Sequence, residues 1–365
     1  MPIIRPIIRS VIRGVTEGLG AVTTDFVFIM ATTGAAETVT IPCQNIGTFD
    51  AVIDWGDGST SEITTYNDAD LAHEYADAAD HTIRISGTFP NIYFNKVGDK
   101  LKLKEVVNLG KVGWTKFNRA FRGCTNLISF TAGNCDTSLV DNMSYMFDGV
   151  GCTDLDLTAF NTSSVTDMSN MFYLAVDLAT LNVSSFDTSA VTGAGFAAMF
   201  EECHSILALD LSSFNTELST SMATMFHRCT VLHTVDATSF NTAAVTTMYK
   251  MIRLCPALTL MDLSGFNTAL VENMELMLNT CGLTDPEIDG WDIESVTNFT
   301  SFLYGSTIVT SRYDATLIAW DAQEMVDSLS LHFGNSKYTG GGAAAAARAS
   351  LISNDLATII DAGIA

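Results

Sequence analysis

The chain has 365 residues, of which 47% are hydrophobic and 16% charged, a composition that excludes a disordered acidic polymer. Lysine and arginine number 18 against 41 aspartate and glutamate residues, which gives a formal net charge of −23. Nucleic acid is excluded as a general partner because it needs a basic patch, and no apolar run is long enough to predict membrane insertion. An acidic surface of this kind suits solubility, cations or a basic partner.

The first predicted element is a basic and apolar docking segment over residues 1–21. Arginines interrupt its apolar residues every four positions, and it lacks the continuous apolar core and cleavage site of a secretory signal. It resembles the first residues of bacteriophage tail and virion proteins, which implies attachment to other virion subunits; its own acidic body is the other docking surface. The docking residues are expected to be Ile3, Ile4, Arg5, Ile7, Ile8, Arg9, Ile12 and Arg13.

Residues 22–98 contain signals for β-strands. Two alternating segments, 51–55 and 60–64, flank the sequence GDGS, which is typical of a tight turn between strands. This turn, with His73 and Tyr75 before a strand at 81–85, is similar to a polycystic-kidney-disease-type module. That resemblance implies a small all-β sandwich that serves as a spacer or adhesive unit. Asp57 in the turn is open to two interpretations, a calcium ligand or a residue that bonds its own backbone.

A segment of about 26 residues recurs seven times between residues 99 and 310. Steps of 25 to 28 residues separate the copies, a period that is typical of leucine-rich repeats. Each copy is marked by a phenylalanine or a substitute for it, at Cys135, Phe160, Phe186, Phe214, Phe240, Phe266 and Trp291.

Each repeat has two predicted parts. The alternating segment before the marker, such as ALDLSSF from Ala208, predicts a half-buried strand with Leu209 and Leu211 inward and Asp210 outward. The segment V-x-x-M-x-x-M-F after the marker places apolar residues on one helical face, and a threonine before it is expected to cap that helix. We therefore predict an α/β leucine-rich-repeat solenoid of about seven coils, with parallel strands and short helices.

The repeats contain the sequence FNTSSVTDMSNMF followed by CxxL and LDLSSF. This pattern resembles the BspA-type leucine-rich repeats of bacterial surface proteins. The resemblance covers roughly residues 101–309 and implies surface display and adhesion without enzymatic activity. Cysteines that recur after the predicted helices are interpreted as small buried residues. Since CxxC is absent, no metal site is predicted. Cys152 is out of register, and the pattern assigns it no role.

Residues 311–365 break the period and are predicted to form a C-terminal cap. The stretch 343–351 is strongly helix-forming. An array of repeats needs a terminal unit that covers its last apolar face. This tail resembles the C-termini of similar repeat proteins in bacterial viruses and marine bacteria.

The candidate binding site is a column of outward-facing aspartates on the predicted strands. Adjacent strands lie about 4.8 Å apart, where like charges repel by roughly 1 kcal/mol even in water. Such a column implies a cation, a basic partner, raised pKa values, splayed side chains, or hydrogen bonds to neighbouring hydroxyl and backbone groups. No cofactor is predicted, although Ca²⁺ is one option here. The column comprises Asp156, Asp210, Asp236, Asp262 and Asp289.

The sequence contains no hydrolase, metalloprotease or nucleotide-binding motif, so no catalytic residue is predicted. With the resemblances, this favours a non-enzymatic adhesin of a bacteriophage virion, most simply a tail fibre that binds a protein or glycan receptor on the host surface. The alternatives are a secreted or surface adhesin of a bacterium and a structural (decoration) protein of a virion; a polysaccharide-degrading enzyme would need paired carboxylates in a pocket. A homo-oligomer is expected, and a trimer by analogy with phage fibres.

Overall fold

The computed structural model describes residues 23–355 and 357–365, so the predicted docking segment over 1–21 lies outside the described residues. The N-terminal part is built from strands and one 3-10 turn at Ala69–Leu71. Alternation of buried and exposed residues explains these strands. In the strand at 50–54, Ala51 and Ile53 are buried, whereas the other three residues are exposed. The strands are β1 (Phe26–Ala31), β2 (Glu37–Thr40), β3 (Asp50–Asp54), β4 (Thr60–Ile63), β5 (Ala72–Tyr75) and β6 (Asp80–Thr88).

The N-terminal strands form two sheets. One has the order β4-β3-β6-β1-β7-β8, in which β7 (Leu103–Asn108) and β8 (Ser129–Phe130) come from the region after residue 98. The other is the antiparallel pair β2-β5. Trp55, at the end of β3, meets Tyr75 of β5 edge to face at 6.4 Å, which packs the two sheets together. Because β7 pairs with β1, no break in the sheet separates the N-terminal part from the repeats.

The predicted α/β leucine-rich-repeat solenoid of seven coils is wrong. Residues 99–309 contain strands and turns but no α-helix, and most of their strands lie in small separate sheets instead of one continuous parallel sheet. The parallel pairs are β9 (Asp154–Asp156) with β10 (Thr180–Asn182), and β11 (Ala208–Asp210) with β12 (Thr234–Asp236).

The predicted helices fail because one residue within each V-x-x-M-x-x-M-F segment and the residue two positions after its end have positive φ. In one repeat these are Asn170 (φ 57°) and Leu174 (φ 56°), and in a later repeat Thr224 (φ 55°) and Arg228 (φ 63°). A residue in the left-handed region ends a right-handed helical turn. The segment is therefore a succession of tight turns.

Backbone hydrogen bonds in these turns alternate between two kinds of partner. The Met171 N–H donates to the Met168 carbonyl oxygen within the repeat (3.2 Å), whereas the Phe172 N–H donates to the Met199 carbonyl oxygen of the next repeat (2.9 Å). Isolated parallel bridges, such as Ser221 with Thr247, join equivalent positions. Neighbouring repeats are thus joined through their backbones even where neither forms a strand.

The apolar residues predicted to share a helical face are buried despite the absence of a helix. Val165, Met168, Met171 and Phe172 are all fully buried. Spacings of three and four residues place these side chains on one side of successive turns, much as they would on a helix. The periodicity therefore predicts burial correctly but not backbone conformation.

The repeated threonines do not cap helices but fasten one repeat to the next. Thr216 is fully buried, and its hydroxyl donates to the Asn241 carbonyl oxygen (2.9 Å) while it accepts from the Asn241 N–H (2.8 Å). Thr188 makes the same two bonds with Asn215, at 2.9 and 2.7 Å.

Thr216→Val is expected to lower the free energy of unfolding by about 2 kcal/mol, since each buried polar group that loses its partner costs about 1–3 kcal/mol. Urea denaturation measures this loss. Thr220→Val is the matched control, because Thr220 is exposed and its hydroxyl bonds no described residue; we expect a change within about 0.5 kcal/mol. Equal effects of the two changes would contradict the role assigned to Thr216.

The eight cysteines are all free, and six of them are buried. The thiols of Cys229 and Cys255 donate to the carbonyl oxygens of Phe200 (3.0 Å) and Phe226 (2.9 Å) in the preceding repeats. Cys152, which is out of register in the sequence, donates in the same way to Leu127 at 3.2 Å, and burial raises its pKa to about 12. The buried cysteines serve as small core residues with one weak donor.

The C-terminal part contains the two α-helices of the described residues, α1 (Thr310–Asp321) and α2 (Ala343–Asn354). Two parallel strands, β13 (Ser330–His332) and β14 (Thr358–Ile360), accompany them. Trp320 of α1 is fully buried and lies 5.3 Å from the Phe299 ring, so α1 covers the apolar end of the last repeat. Among the described residues, no helix has both the length and the apolarity needed to cross a bilayer.

Candidate functional site

Three of the five predicted aspartates lie together along one open groove. Asp210 of β11 is in register with Asp236 of β12, and a parallel bridge from Thr234 to Leu260 brings the next repeat, with Asp262, alongside. The groove has a volume of about 470 Å³ and is lined by these carboxylates and by apolar side chains. These three aspartates are therefore exposed and lie on one surface, in the outward direction that the period-two alternation predicts.

Each groove aspartate is fixed by its own turn. The Asp210 Oδ1 accepts from the Ser212 N–H (3.1 Å) and the Ser212 hydroxyl (2.6 Å). Asp236 and Asp262 repeat this pattern with the residues two positions further on, Thr238 and Ser264. Within the described part of the chain, the second carboxylate oxygen of all three has no hydrogen bond, so three acceptors remain available to a ligand.

Two of the groove carboxylates, those of Asp210 and Asp262, are held in their ionised form. The serine hydroxyl lowers the pKa of Asp210 and that of Asp262 below the ordinary range, and the serine N–H adds to this effect. Raised pKa values of Asp210 and Asp262 therefore do not relieve the repulsion along the groove. Hydrogen bonding to one oxygen and exposure of the other to solvent do so instead.

The other two predicted aspartates lie elsewhere. Asp156 of β9 pairs with Asn182 of β10, and no strand pairing joins β10 to β11. The repeat from Phe186, which lies between β10 and β11, has two more residues in its V-x-x-M-x-x-M-F segment than its neighbours have. Asp289 is ion-paired with Arg312 of α1, which also contacts the Asp285 carboxylate at 2.7 Å.

Apolar surface adjoins the acidic groove. Leu260, which lines the groove, is 64% exposed, whereas Val235 is buried beneath the strands. A ligand in this groove would meet carboxylate oxygens and the exposed Leu260 side chain at once. The stem of a lysine or arginine combines these two properties, because it is aliphatic and ends in a cation.

A second polar cluster surrounds Asp57 in the N-terminal sheets. Its Oδ1 accepts from the Ser59 N–H (2.9 Å) and the Ser59 hydroxyl (2.5 Å), and its Oδ2 lies 2.7 Å from the His73 Nε2. The Ser59 hydroxyl lies 3.4 Å from that same ring nitrogen. A Ser-His-Asp relay needs the serine and the aspartate on opposite ring nitrogens, so this cluster is not one. The contacts support the interpretation of Asp57 as a turn residue; the Ser59 hydroxyl is the main cause of its lowered pKa.

A ladder of ionisable side chains, which the sequence patterns did not predict, follows the V-x-x-M-x-x-M-F segments of neighbouring repeats. His227 Nδ1 lies 2.9 Å from the Glu201 carboxylate, and the Arg253 guanidinium lies 3.3 Å from His227 Nε2. These residues directly follow the last apolar position of V-x-x-M-x-x-M-F in three consecutive repeats, which is the signal that could have found them. Across residues 23–355 and 357–365, no group of three or more His, Cys, Asp and Glu side chains is arranged to hold a metal ion.

Comparison with known proteins gives one family. The protein-family model described as "Mycoplasma protein of unknown function, DUF285" matches residues 115–237 and, in a second overlapping match, residues 194–316. Together the matches span 202 of the 365 residues, mostly within the repeats. No curated protein and no solved structure matches the chain.

Proposed function

The chain belongs to the DUF285 family, whose description assigns no activity, and from that premise we propose that it is a non-enzymatic recognition protein. Its ligand is a cationic, extended segment of a receptor protein. The binding surface is the acidic groove, defined by Asp210, Asp236 and Asp262. The observation that carries the proposal is that these carboxylates share one groove, each with one oxygen fixed and the other without a hydrogen-bond partner among the described residues.

Electrostatics and shape both support a cationic ligand. The lowered pKa values keep Asp210 and Asp262 anionic, and the net charge of −23 would steer a basic segment towards the protein. Strands about 4.8 Å apart present their carboxylates as a row, which suits an extended chain better than a single point charge. The exposed Leu260, which lines the groove, provides a contact for aliphatic stems.

The setting that we propose is the surface of a bacteriophage virion, where several copies on one particle would add avidity for a host receptor. The support is the resemblance of the N-terminal sequence to virion proteins and of the repeats to bacterial surface proteins. Attachment to other virion subunits and assembly as a homo-oligomer are parts of this proposal. A secreted or surface adhesin of a bacterium would use the same groove.

The triple change Asp210→Asn, Asp236→Asn and Asp262→Asn tests the groove. The probe is a synthetic peptide of alternating lysine and leucine, titrated calorimetrically into the full chain at low and high salt. We expect the triple variant to bind at least about tenfold more weakly, since three contacts of roughly 1 kcal/mol each are lost and 1.4 kcal/mol is tenfold.

A second triple variant controls for net charge. Asp136→Asn, Asp187→Asn and Asp292→Asn remove the same three charges from turns of the same kind outside the groove. We expect this control to bind the peptide as the unaltered protein does, apart from a small salt-dependent loss. Equal losses in the two variants, or unchanged binding by the groove variant, would overturn the proposed site.

A further inference from the structure

A second depression lies on the N-terminal sheets, and the residues that line it are distant in sequence from those of the acidic groove. It has a volume of about 360 Å³ and is formed by the loop that enters β3 and the loop that leaves β4. β3 and β4 pair antiparallel with Ala51 opposite Ile63, so these two loops meet at the end of the hairpin opposite the GDGS turn. We name it the loop pocket; its side chains come from Asn45, Thr48, Phe49, Thr64, Thr65, Tyr66 and Asn67.

The loop pocket is polar but uncharged. Two amides, three threonine hydroxyls and the Tyr66 phenol line it, and none of these side-chain groups bonds another residue in the described part of the chain. Tyr66 is 39% exposed, so part of its ring faces solvent. The pocket therefore combines unused donors and acceptors with one exposed aromatic surface.

Hydrogen bonds fix the backbone of the pocket, although its polar side chains bond no other described residue. The Asn91 amide donates to the carbonyl oxygens of Gln44 (3.3 Å) and Ile46 (3.1 Å), and its carbonyl accepts from the Gln44 N–H at 2.7 Å. The Cys43 thiol reaches the Tyr66 carbonyl oxygen at 3.3 Å, which links the two loops. Because the backbone is fixed, a ligand would have to order side chains of the pocket but not the two loops themselves.

We propose that the loop pocket binds a neutral carbohydrate. A sugar ring offers hydroxyl groups on its edge, which suit amides and hydroxyls, and an apolar face, which suits the Tyr66 ring. The lack of a charged side chain in the lining argues against an ionic ligand, because nothing there would compensate its charge. The volume lies in the range of small-molecule sites. This site is independent of the acidic groove and does not rest on the function proposed for it.

The test is binding of the full chain to neutral tetrasaccharides of glucose, N-acetylglucosamine and mannose, with oligogalacturonate as an anionic comparison, measured by calorimetry. We expect at least one neutral tetrasaccharide to bind and oligogalacturonate not to bind. Tyr66→Ala and Asn67→Ala should each weaken that binding at least tenfold, and Tyr66→Phe should weaken it less, because the ring is retained.

Two controls separate this proposal from the previous one. Tyr304→Ala removes another exposed tyrosine (56% exposed) outside the pocket and should leave sugar binding unchanged. The triple asparagine variant of the acidic groove should also bind the sugar normally. If none of the neutral tetrasaccharides binds, or if binding persists unchanged in Tyr66→Ala, the proposal is overturned whatever the result for the lysine-leucine peptide.

Discussion

Phe200→Ala is expected to lower the free energy of unfolding by about 3–5 kcal/mol, the usual cost of removing a buried aromatic side chain. Phe200 is fully buried, and its ring stacks on Phe172 at 5.5 Å and on Phe226 at 5.8 Å with interplanar angles of 6° and 1°. The alanine would leave a cavity that touches three consecutive repeats. Each repeat depends on its neighbours for burial, so one cavity weakens two interfaces.

The chain itself supplies the control for this change. Ile252 and Leu278 occupy the equivalent position in later repeats and are also fully buried. Phe200→Leu should therefore cost less than about 1.5 kcal/mol, because such cores tolerate hydrophobic replacements of similar volume. Urea denaturation followed by far-UV circular dichroism measures both variants. If the leucine and alanine variants lost the same free energy, the cavity explanation would be wrong.

The sequence predicts burial in the repeats far better than it predicts their backbone. Apolar residues three and four positions apart predict that one side of each segment is buried, and Met168 and Phe172 on that side are indeed fully buried. These spacings do not reveal that Asn170 and Leu174 have positive φ, because positive φ is uncommon even for asparagine, which is enriched there, and rarer for leucine. The strain is offset by hydrogen bonds to the next repeat, a long-range contribution that no local propensity contains.

The candidate site was partly predictable for a similar reason. Alternation places Asp210, Asp236 and Asp262 outward, and the serine or threonine two residues later is visible in the sequence as the group that bonds each carboxylate. The ion pair between Asp289 and Arg312 depends on where α1 packs, and the period of the repeats does not specify that position. The loop pocket likewise requires two loops some twenty residues apart to meet, so its chemistry appears only in the folded chain.

Asp361 anchors the C-terminal part, and Asp361→Ala is expected to cost about 3 kcal/mol, because it removes the hydrogen bonds that the part-buried Arg348 guanidinium and the buried Tyr313 hydroxyl make to this carboxylate. The Asp361 side chain is 3% exposed, and it accepts from the Arg348 guanidinium of α2 at 2.8 and 3.2 Å. The Tyr313 hydroxyl of α1 donates to it at 2.7 Å. One carboxylate thus joins both helices to the chain after β14.

A double variant separates the lost pair from lost packing. Replacing Arg348 by methionine and Asp361 by leucine removes both charges together, and we expect this variant to be closer in stability to the unaltered protein than Asp361→Ala is. The comparison uses urea midpoints at neutral pH. A double variant no more stable than the single one would show that the ion pair is not the origin of the effect.

Asp361 also makes a specific contribution to acid stability. Burial alone would raise its pKa, but the hydrogen bonds from Arg348 and Tyr313 outweigh burial and lower it. A carboxyl whose pKa is lower in the folded state stabilises that state fully above its unfolded pKa, near 4, and the stabilisation is lost as the pH falls through the folded value. The stability difference between the unaltered protein and Asp361→Asn should therefore be constant from pH 7 to about pH 5 and shrink below pH 4. A difference that stays constant down to pH 2.5, measured by urea titrations at each pH, would show that Asp361 does not titrate as its contacts require.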